Sequence, residues 1–80
     1  MDVQLVAFGI AKEILKSSSI QFPLTGEHSI GGLKQALIDQ YPEFEKLRSL
    51  RFAVNEDYQE DSYAIQPNDE VVIIPPVSGG

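Results

Sequence analysis

The spacing of apolar residues changes along the chain, and each change predicts a strand or a helix. Alternating or continuous apolar runs predict four strands: residues 3–8, 20–24, 51–54 and 71–74. Apolar residues three or four positions apart predict three helices: residues 10–16, 30–41 and 43–50. Tyr58 begins a short return segment, whereas residues 62–65 fit either a helical turn or a bridging segment. This order predicts an α+β roll in which one main helix packs across a mixed sheet.

The predicted first strand carries apolar residues on both of its faces. Side chains alternate along a strand, so three apolar residues share one face: Val3, Leu5 and Ala7. Val6 and Phe8 then lie on the other face. One helix can cover only one face of so small a sheet. Val6 and Phe8 therefore either form a partly exposed docking site or are covered by a loop or the second short helix.

The positions of three strands in the sheet also follow from the pattern. The first and last strands are apolar on both faces, which predicts that they are central neighbours. Pro23 has no N–H to donate, so the second strand is predicted at or near an edge. Residues 55–57 and 66–69 contain the Asn, Asp and Pro residues typical of turns.

The main helix begins with an unusual pair of glycines. Ser29 is a suitable N-cap, but Gly31 and Gly32 each disfavour helix by roughly 1 kcal/mol. A phosphate cradle would need a Walker lysine or a GxGxxG motif, and the sequence has neither. Close backbone packing or a late helix start is the favoured interpretation. His28, beside Glu27, offers too few ligands for a metal site, and no metal is expected.

Composition limits the partners of this 80-residue chain. Twelve acidic and six basic residues give a net charge of −6, which argues against nucleic acid and favours basic protein surfaces. Four acids lie close together and either steer such a partner or form a solvated hairpin turn: Glu56, Asp57, Glu60 and Asp61. The chain has no cysteine and no apolar run long enough for a membrane span, so we expect a soluble cytoplasmic protein.

The last six residues predict a slim tail beyond the folded domain. The sequence divides into a domain over residues 1–74 and a flexible tail over 75–80, Pro-Pro-Val-Ser-Gly-Gly. Proline favours an extended path and glycine has no side chain, so the tail could pass about 20 Å into a narrow channel. The α-carboxylate of Gly80 is either the working group of the protein or simply a frayed terminus.

Three segments resemble one subfamily of ubiquitin-like β-grasp proteins. They are residues 52–55 (Phe-Ala-Val-Asn), 66–71 (Gln-Pro-Asn-Asp-Glu-Val) and 74–80 (Ile-Pro-Pro-Val-Ser-Gly-Gly). The chain is similar there to the small sulfur-carrier subunit of molybdopterin synthase. The N-terminal part agrees more loosely, through Ala7-Phe8 and Lys12-Glu13-Ile14. The resemblance implies a ubiquitin-like β-grasp roll.

The resemblance also implies a reaction cycle at Gly80. An ATP-dependent, E1-like activating enzyme adenylates the carboxylate, and a sulfur donor protein converts the acyl-adenylate into a thiocarboxylate. The tail then enters the large catalytic subunit, where the sulfur passes to cyclic pyranopterin monophosphate. The implied assembly has two large and two small subunits, and this chain binds no cofactor and has no independent catalytic activity. Tail insertion would use the residues before Gly80: Pro75, Pro76, Val77, Ser78 and Gly79.

By position, the family's docking residues on the large subunit correspond here to Phe8, Tyr58 and Ile74, with Lys12 a basic residue beside the tail. Val6 is added because it shares a strand face with Phe8, and Val72 because it shares one with Ile74.

Two alternatives remain open at this point. The first keeps sulfur-carrier chemistry but assigns it to thiamine synthesis, tRNA thiolation or protein conjugation; the Pro-Pro-Val-Ser tail argues against it. The second is a β-grasp binding module whose Gly79-Gly80 pair is incidental. Removing that pair would abolish the activity of a carrier but not that of a binding module.

Overall fold

The computed structural model describes residues 1–47 and 50–74. Five strands, two α-helices and a short 3₁₀ helix follow one another in this part of the chain. In chain order they are β1 (Asp2–Ala7), α1 (Gly9–Leu15), β2 (Ser19–Pro23), α2 (Ile30–Gln40), the 3₁₀ helix (Pro42–Lys46), β3 (Arg51–Val54), β4 (Asp57–Gln59) and β5 (Glu70–Ile74).

The strands form one mixed sheet in the order β2-β1-β5-β3-β4. β1 and β5 are parallel, with Leu5 beside Val71, and the other pairs are antiparallel. The predicted central pairing of the first and last strands is confirmed. β2, which ends at Pro23, is an edge strand as expected.

One face of the sheet packs against α2 and makes the core. Val3, Leu5 and Ala7 of β1 are buried, as strand alternation predicted. Leu33 and Leu37 of α2 have no exposed surface, and burying such a side chain contributes about 1.5–3 kcal/mol. α2 is predicted well because its apolar residues keep helical spacing over three turns.

The predicted first helix is present as α1. Its buried residues are Ala11 and Leu15. Ile14 is half-buried and Ile10 is 42% exposed. In so short a helix two faces satisfy the same spacing, and the path of the chain out of β1 selects between them.

The second short helix ends earlier than predicted. It is a 3₁₀ helix that begins at Pro42 and ends at Lys46, with Phe44 buried. The three-residue interval of its apolar residues is the 3₁₀ period, not the α period. Part of the predicted range, residues 48–49, lies outside the described residues, and Leu50 is buried just before β3.

A tight hairpin joins β3 to β4. Val54 pairs with Asp57, so the loop consists of Asn55 and Glu56. Both have positive φ, 49° and 76°, as a type I′ turn requires. Asn tolerates this left-handed conformation because its short side chain can hydrogen-bond locally. The turn was expected, but Asp57 belongs to the strand.

The open question at residues 62–65 is resolved in favour of a bridging segment. Ala64 forms an isolated antiparallel bridge with Ser29. The backbone N–H of Ile65 donates to the His28 carbonyl at 2.8 Å, and the backbone N–H of Ile30 donates to the Tyr63 carbonyl at 3.0 Å. This segment therefore runs beside the residues that lead into α2.

The glycine pair at the start of α2 is explained by close packing. The Gly31 N–H donates to the Asp61 carbonyl at 2.9 Å, and a Cβ on Gly31 would lie 3.3 Å from Asp61. A Cβ on Gly32 would collide with the carbonyl oxygen of Glu27. The Gly32 N–H donates to Ser29 Oγ at 3.0 Å, which confirms the predicted N-cap.

Candidate partner-docking face

The sheet face opposite α2 carries a row of apolar side chains. Val6 of β1 lies beside Val72 of β5, Val72 lies opposite Ala53 of β3, and Ala53 lies opposite Tyr58 of β4. Adjacent strands are about 4.8 Å apart, so the row crosses roughly 14 Å of the sheet. Val6 and Val72 are half-buried, and the Tyr58 side chain is 64% exposed. The predicted residues Val6, Val72 and Tyr58 therefore belong to one surface, which we call the open face.

A second row extends the open face toward the C-terminal end of β5. Ile74 lies opposite Arg51 and shares its face with Val72. Phe8 follows β1 with an extended backbone, φ −129° and ψ 162°, so alternation places its side chain on the same side as Val6. Phe8 is 58% exposed. The described part of the chain leaves Phe8 uncovered, as the docking interpretation requires, and its role in docking stays a prediction.

Lys12 lies on α1, one helical turn after Phe8. Its side chain is exposed, and its backbone N–H donates to the Phe8 carbonyl at 3.3 Å. Lys12 thus lies one turn beyond Phe8 along the chain, on α1 rather than on the sheet. The other five predicted docking residues share the open face: Val6, Phe8, Tyr58, Val72 and Ile74.

The predicted reacting group and tail lie outside the described residues. These are Gly80, expected to carry the chemistry, and the tail residues Pro75, Pro76, Val77, Ser78 and Gly79. The structure does describe where the chain arrives at them. Ile74 ends β5, which is hydrogen-bonded to β1 on one side and β3 on the other. The residue before the predicted tail is thus held at the middle of the sheet, within the open face.

Arg51 and Tyr58 form the polar margin of the open face. The guanidinium carbon of Arg51 lies 5.9 Å from the centre of the Tyr58 ring, within the range of a cation–π contact. Both side chains are exposed. The sequence reading included Tyr58 but not Arg51, because an arginine at the start of a strand gives no signal of its own.

Behind the β3–β4 hairpin lies a carboxylate that sequence reasoning missed. Asp69 is only 9% exposed. Its Oδ1 accepts a hydrogen bond from Asn55 Nδ2 at 2.9 Å. Its Oδ2 accepts from the Tyr63 hydroxyl at 2.9 Å and from the Gln66 N–H at 2.8 Å. We call Asp69, Asn55, Tyr63 and Gln66 the Asp69 cluster.

The Asp69 cluster connects three segments of the fold. Asn55 is the first residue of the hairpin turn, and its Oδ1 accepts from the Glu70 N–H at 3.2 Å while its own N–H donates to the Glu70 carbonyl at 3.1 Å. The Tyr63 carbonyl accepts a hydrogen bond from the N–H of Ile30, the first residue of α2. The cluster therefore ties the hairpin that carries Tyr58 to β5 and to the start of α2.

The hydrogen bonds of the cluster decide the ionisation of its members. Burial alone would raise the pKa of Asp69, because it penalises the charged form. The hydrogen bonds from Gln66, Tyr63 and Asn55 stabilise the carboxylate and together hold the pKa of Asp69 below its ordinary value. The pKa of Tyr63 is raised, mainly because its hydroxyl donates to Asp69. The cluster is therefore built around an ionised carboxylate.

The other features considered in the sequence are the four acidic residues near the hairpin, possible metal sites and membrane spans. Glu56, Asp57, Glu60 and Asp61 are all exposed around the β3–β4 hairpin, as the hairpin interpretation expects. Their proposed effect on partner approach stays a prediction. Among residues 1–47 and 50–74, no three His, Cys, Asp or Glu side chains come together as a metal site. None of the helices described is long and apolar enough to cross a bilayer.

The topology defines the class of protein. A five-stranded mixed sheet with parallel central strands, packed by one face on a single main helix, is a ubiquitin-like β-grasp roll. The crystal structure of SAMP1 from Haloferax volcanii has the same fold, with a TM-score of 0.79 and 21% sequence identity over the whole of both chains. The predicted fold class is confirmed.

The chain belongs to the ThiS family, whose model matches residues 6–80. It is similar over its full length to proteins named molybdopterin synthase sulfur carrier subunit. The Arabidopsis thaliana protein is 30% identical over 81 residues, which cover 100% of this chain and 84% of the relative. The Aedes aegypti protein is 35% identical over 86 residues, which cover 98% of this chain and 88% of the relative. The resemblance found in the sequence is therefore confirmed.

Proposed function

We propose that this chain is the sulfur carrier subunit of a molybdopterin synthase. The observation that carries the proposal is similarity over the whole chain to proteins of that name, at 30% and 35% identity. The family match also runs through Gly79 and Gly80. These residues are where the chemistry of a carrier would take place.

The proposed reaction uses the α-carboxylate of Gly80. A carboxylate lacks a leaving group, so it must be activated before sulfur can replace one of its oxygens. In the proposed cycle the carboxylate attacks the α-phosphorus of ATP on an E1-like enzyme and releases pyrophosphate. A sulfur donor protein then supplies sulfur at the sulfide level, which attacks the acyl carbon and expels AMP to leave a thiocarboxylate. ATP is a substrate of the activating enzyme, and this chain supplies the carboxylate rather than catalytic acids or bases.

The open face is the proposed docking surface for the large subunit. Exposed aromatic side chains beside half-buried aliphatic ones are typical of interface anchors, and Phe8, Tyr58 and Val72 have that arrangement. Ile74 lies on the same face and immediately precedes the tail. Docking there would place residues 75–80 against the partner, where glycine's lack of a side chain suits a narrow channel. We propose an assembly of two large and two small subunits, located in the cytoplasm.

Sulfur delivery to another acceptor is the second candidate, because the matching family is ThiS rather than a molybdopterin-specific group. The same carboxylate chemistry would then serve thiamine synthesis, tRNA thiolation or protein conjugation. The names of the relatives favour the first candidate. Adding purified large subunit and cyclic pyranopterin monophosphate to the charged carrier distinguishes the two, because only the first predicts molybdopterin.

The test of the carrier chemistry is intact mass spectrometry after incubation with ATP, an activating enzyme and a sulfur source. We expect a mass gain equal to the replacement of one oxygen by sulfur, confined to the C-terminal peptide. A variant without Gly79 and Gly80, and one with a residue added after Gly80, should show no gain. Equal charging of either variant, or no gain in the unaltered chain with an enzyme active on a known carrier, would contradict the proposal.

A further inference from the structure

Arg51 is a cation at the margin of the open face, beside the apolar row. It lies opposite Ile74 in the β3–β5 ladder, and its guanidinium carbon lies over the Tyr58 ring, 5.9 Å from the ring centre. Its row adjoins the row that contains Val72 and Ala53. The chain as a whole has a net charge of −6, so a positive group on this face is contrary to the general charge of the molecule.

The cation–π contact leaves the guanidinium suited to one kind of ligand. It restricts the side chain without using a hydrogen-bond donor, because the ring attracts the cation through its π-electrons and the guanidinium keeps its five N–H donors. That planar fork matches the two oxygens of a carboxylate. A lysine at this position would present a point charge without the same geometry.

We propose that Arg51 binds a carboxylate side chain of the large subunit and is a specificity-determining residue of the open face. The inference rests on the proposed function, since it takes the large subunit as the partner. An acidic chain attracts partners with basic surfaces in general. In the proposed pair the positive group is on this chain and the negative group is on the partner. This pair selects among basic partners, because a basic side chain opposite Arg51 would be repelled. Tyr58 acts here as the support that orients Arg51 as well as an apolar contact.

The test compares four single variants and one double variant of the full-length carrier in calorimetric titrations against the purified large subunit. Arg51→Gln removes the charge but keeps a polar side chain, and we expect Kd to rise roughly tenfold. Arg51→Lys keeps the charge and should recover only part of that loss. Lys46→Gln removes an equal charge from the exposed 3₁₀ helix, which contributes no residue to the open face, and should change Kd by less than about twofold. Tyr58→Ala should reduce the further effect of Arg51→Gln.

The outcomes separate the two proposals. If the unaltered chain binds and Arg51→Gln behaves like Lys46→Gln, the role of Arg51 is overturned and the carrier function stands. If Arg51→Lys binds as tightly as the unaltered chain, charge alone matters and the carboxylate-fork geometry is overturned. If the unaltered chain does not bind the large subunit, both proposals are wrong. Because Arg51 is exposed, circular dichroism should show equal folding in every variant.

Discussion

The Asp69 carboxylate provides a sharp test of what holds the hairpin in place. In Asp69→Asn one oxygen becomes an amide nitrogen, which donates instead of accepting. Suppose that the remaining side-chain oxygen still accepts the hydrogen bonds from the Tyr63 hydroxyl and the Gln66 N–H. The new amide nitrogen then faces Asn55 Nδ2, which is also a donor. Asn55 cannot turn its amide without losing the bond that its Oδ1 accepts from the Glu70 N–H at 3.2 Å. At least one hydrogen bond of the cluster must therefore be lost.

The size of the effect follows from the kind of bond that is lost. A hydrogen bond to an ionised group contributes about 1.5–3 kcal/mol net. Asp69→Asn loses one such bond and makes the others neutral, so we expect the free energy of unfolding to fall by about 2–3 kcal/mol. In a domain of this size that corresponds to a decrease in Tm of roughly 10–20 °C.

Urea unfolding and differential scanning calorimetry would measure the loss. Asp57→Asn is the matched control, because it removes the same charge from an exposed position on β4 and should change stability by less than about 0.5 kcal/mol. Tyr63→Phe should destabilise the unaltered domain more than it destabilises the Asp69→Asn variant, since both changes affect one hydrogen bond. Equal stability of the Asp69→Asn and Asp57→Asn variants would refute the role given to the cluster.

Four other changes have expected outcomes. Gly32→Ala should lower the free energy of unfolding by about 1–3 kcal/mol, because the new methyl group collides with the Glu27 carbonyl. Gly31→Ala makes a looser contact, with Asp61, and should change the free energy of unfolding little. A Gly32→Ala variant that is more stable in urea would contradict the packing account. Ser29→Ala should cost about 1 kcal/mol by removing the N-cap, measured by the same unfolding curves. The pKa of Asp69 is lower in the folded state, so its carboxylate stabilises the fold above the ordinary pKa of 3.8 and loses this effect as pH falls below that value. In this acidic range the unfolding midpoint should decline less steeply with pH in Asp69→Asn than in the unaltered domain. Phe8→Glu should weaken binding to the large subunit without altering Tm, and unchanged affinity would remove Phe8 from the interface.

Part of the sheet order was predictable because the residue types of a strand indicate whether one or both of its faces are buried. β1 and β5 are apolar on both faces, and only central strands need to be. Pro23 marked an edge for an equally direct reason, the missing N–H. Such features depend on single residues or short alternations, and tertiary packing does not change them.

Features that depend on packing between distant segments were predicted less well. The buried side of α1 was not predicted, because Ala11 carries little hydrophobic signal although the chain leaving β1 turns it inward. Asp69 was read as a turn residue because aspartate in a Pro-Asn-Asp sequence is normally exposed. Its burial depends on Asn55 and Tyr63, and nothing in the local sequence indicates that they meet. Arg51 escaped notice because its stacking partner lies across a hairpin.

The central position of β5 also has a mechanical consequence. Any partner that draws on the residues after Ile74 applies tension along β5, which is bonded to β1 and β3 over most of its length. Tension along a strand loads those hydrogen bonds in shear, so they must break together rather than one after another. The same pull along an edge strand such as β4 would load only one ladder, the one with β3. The position of β5 therefore lets the domain resist extraction force at the point where its tail is attached, and single-molecule pulling from that end should meet greater resistance than pulling through β4.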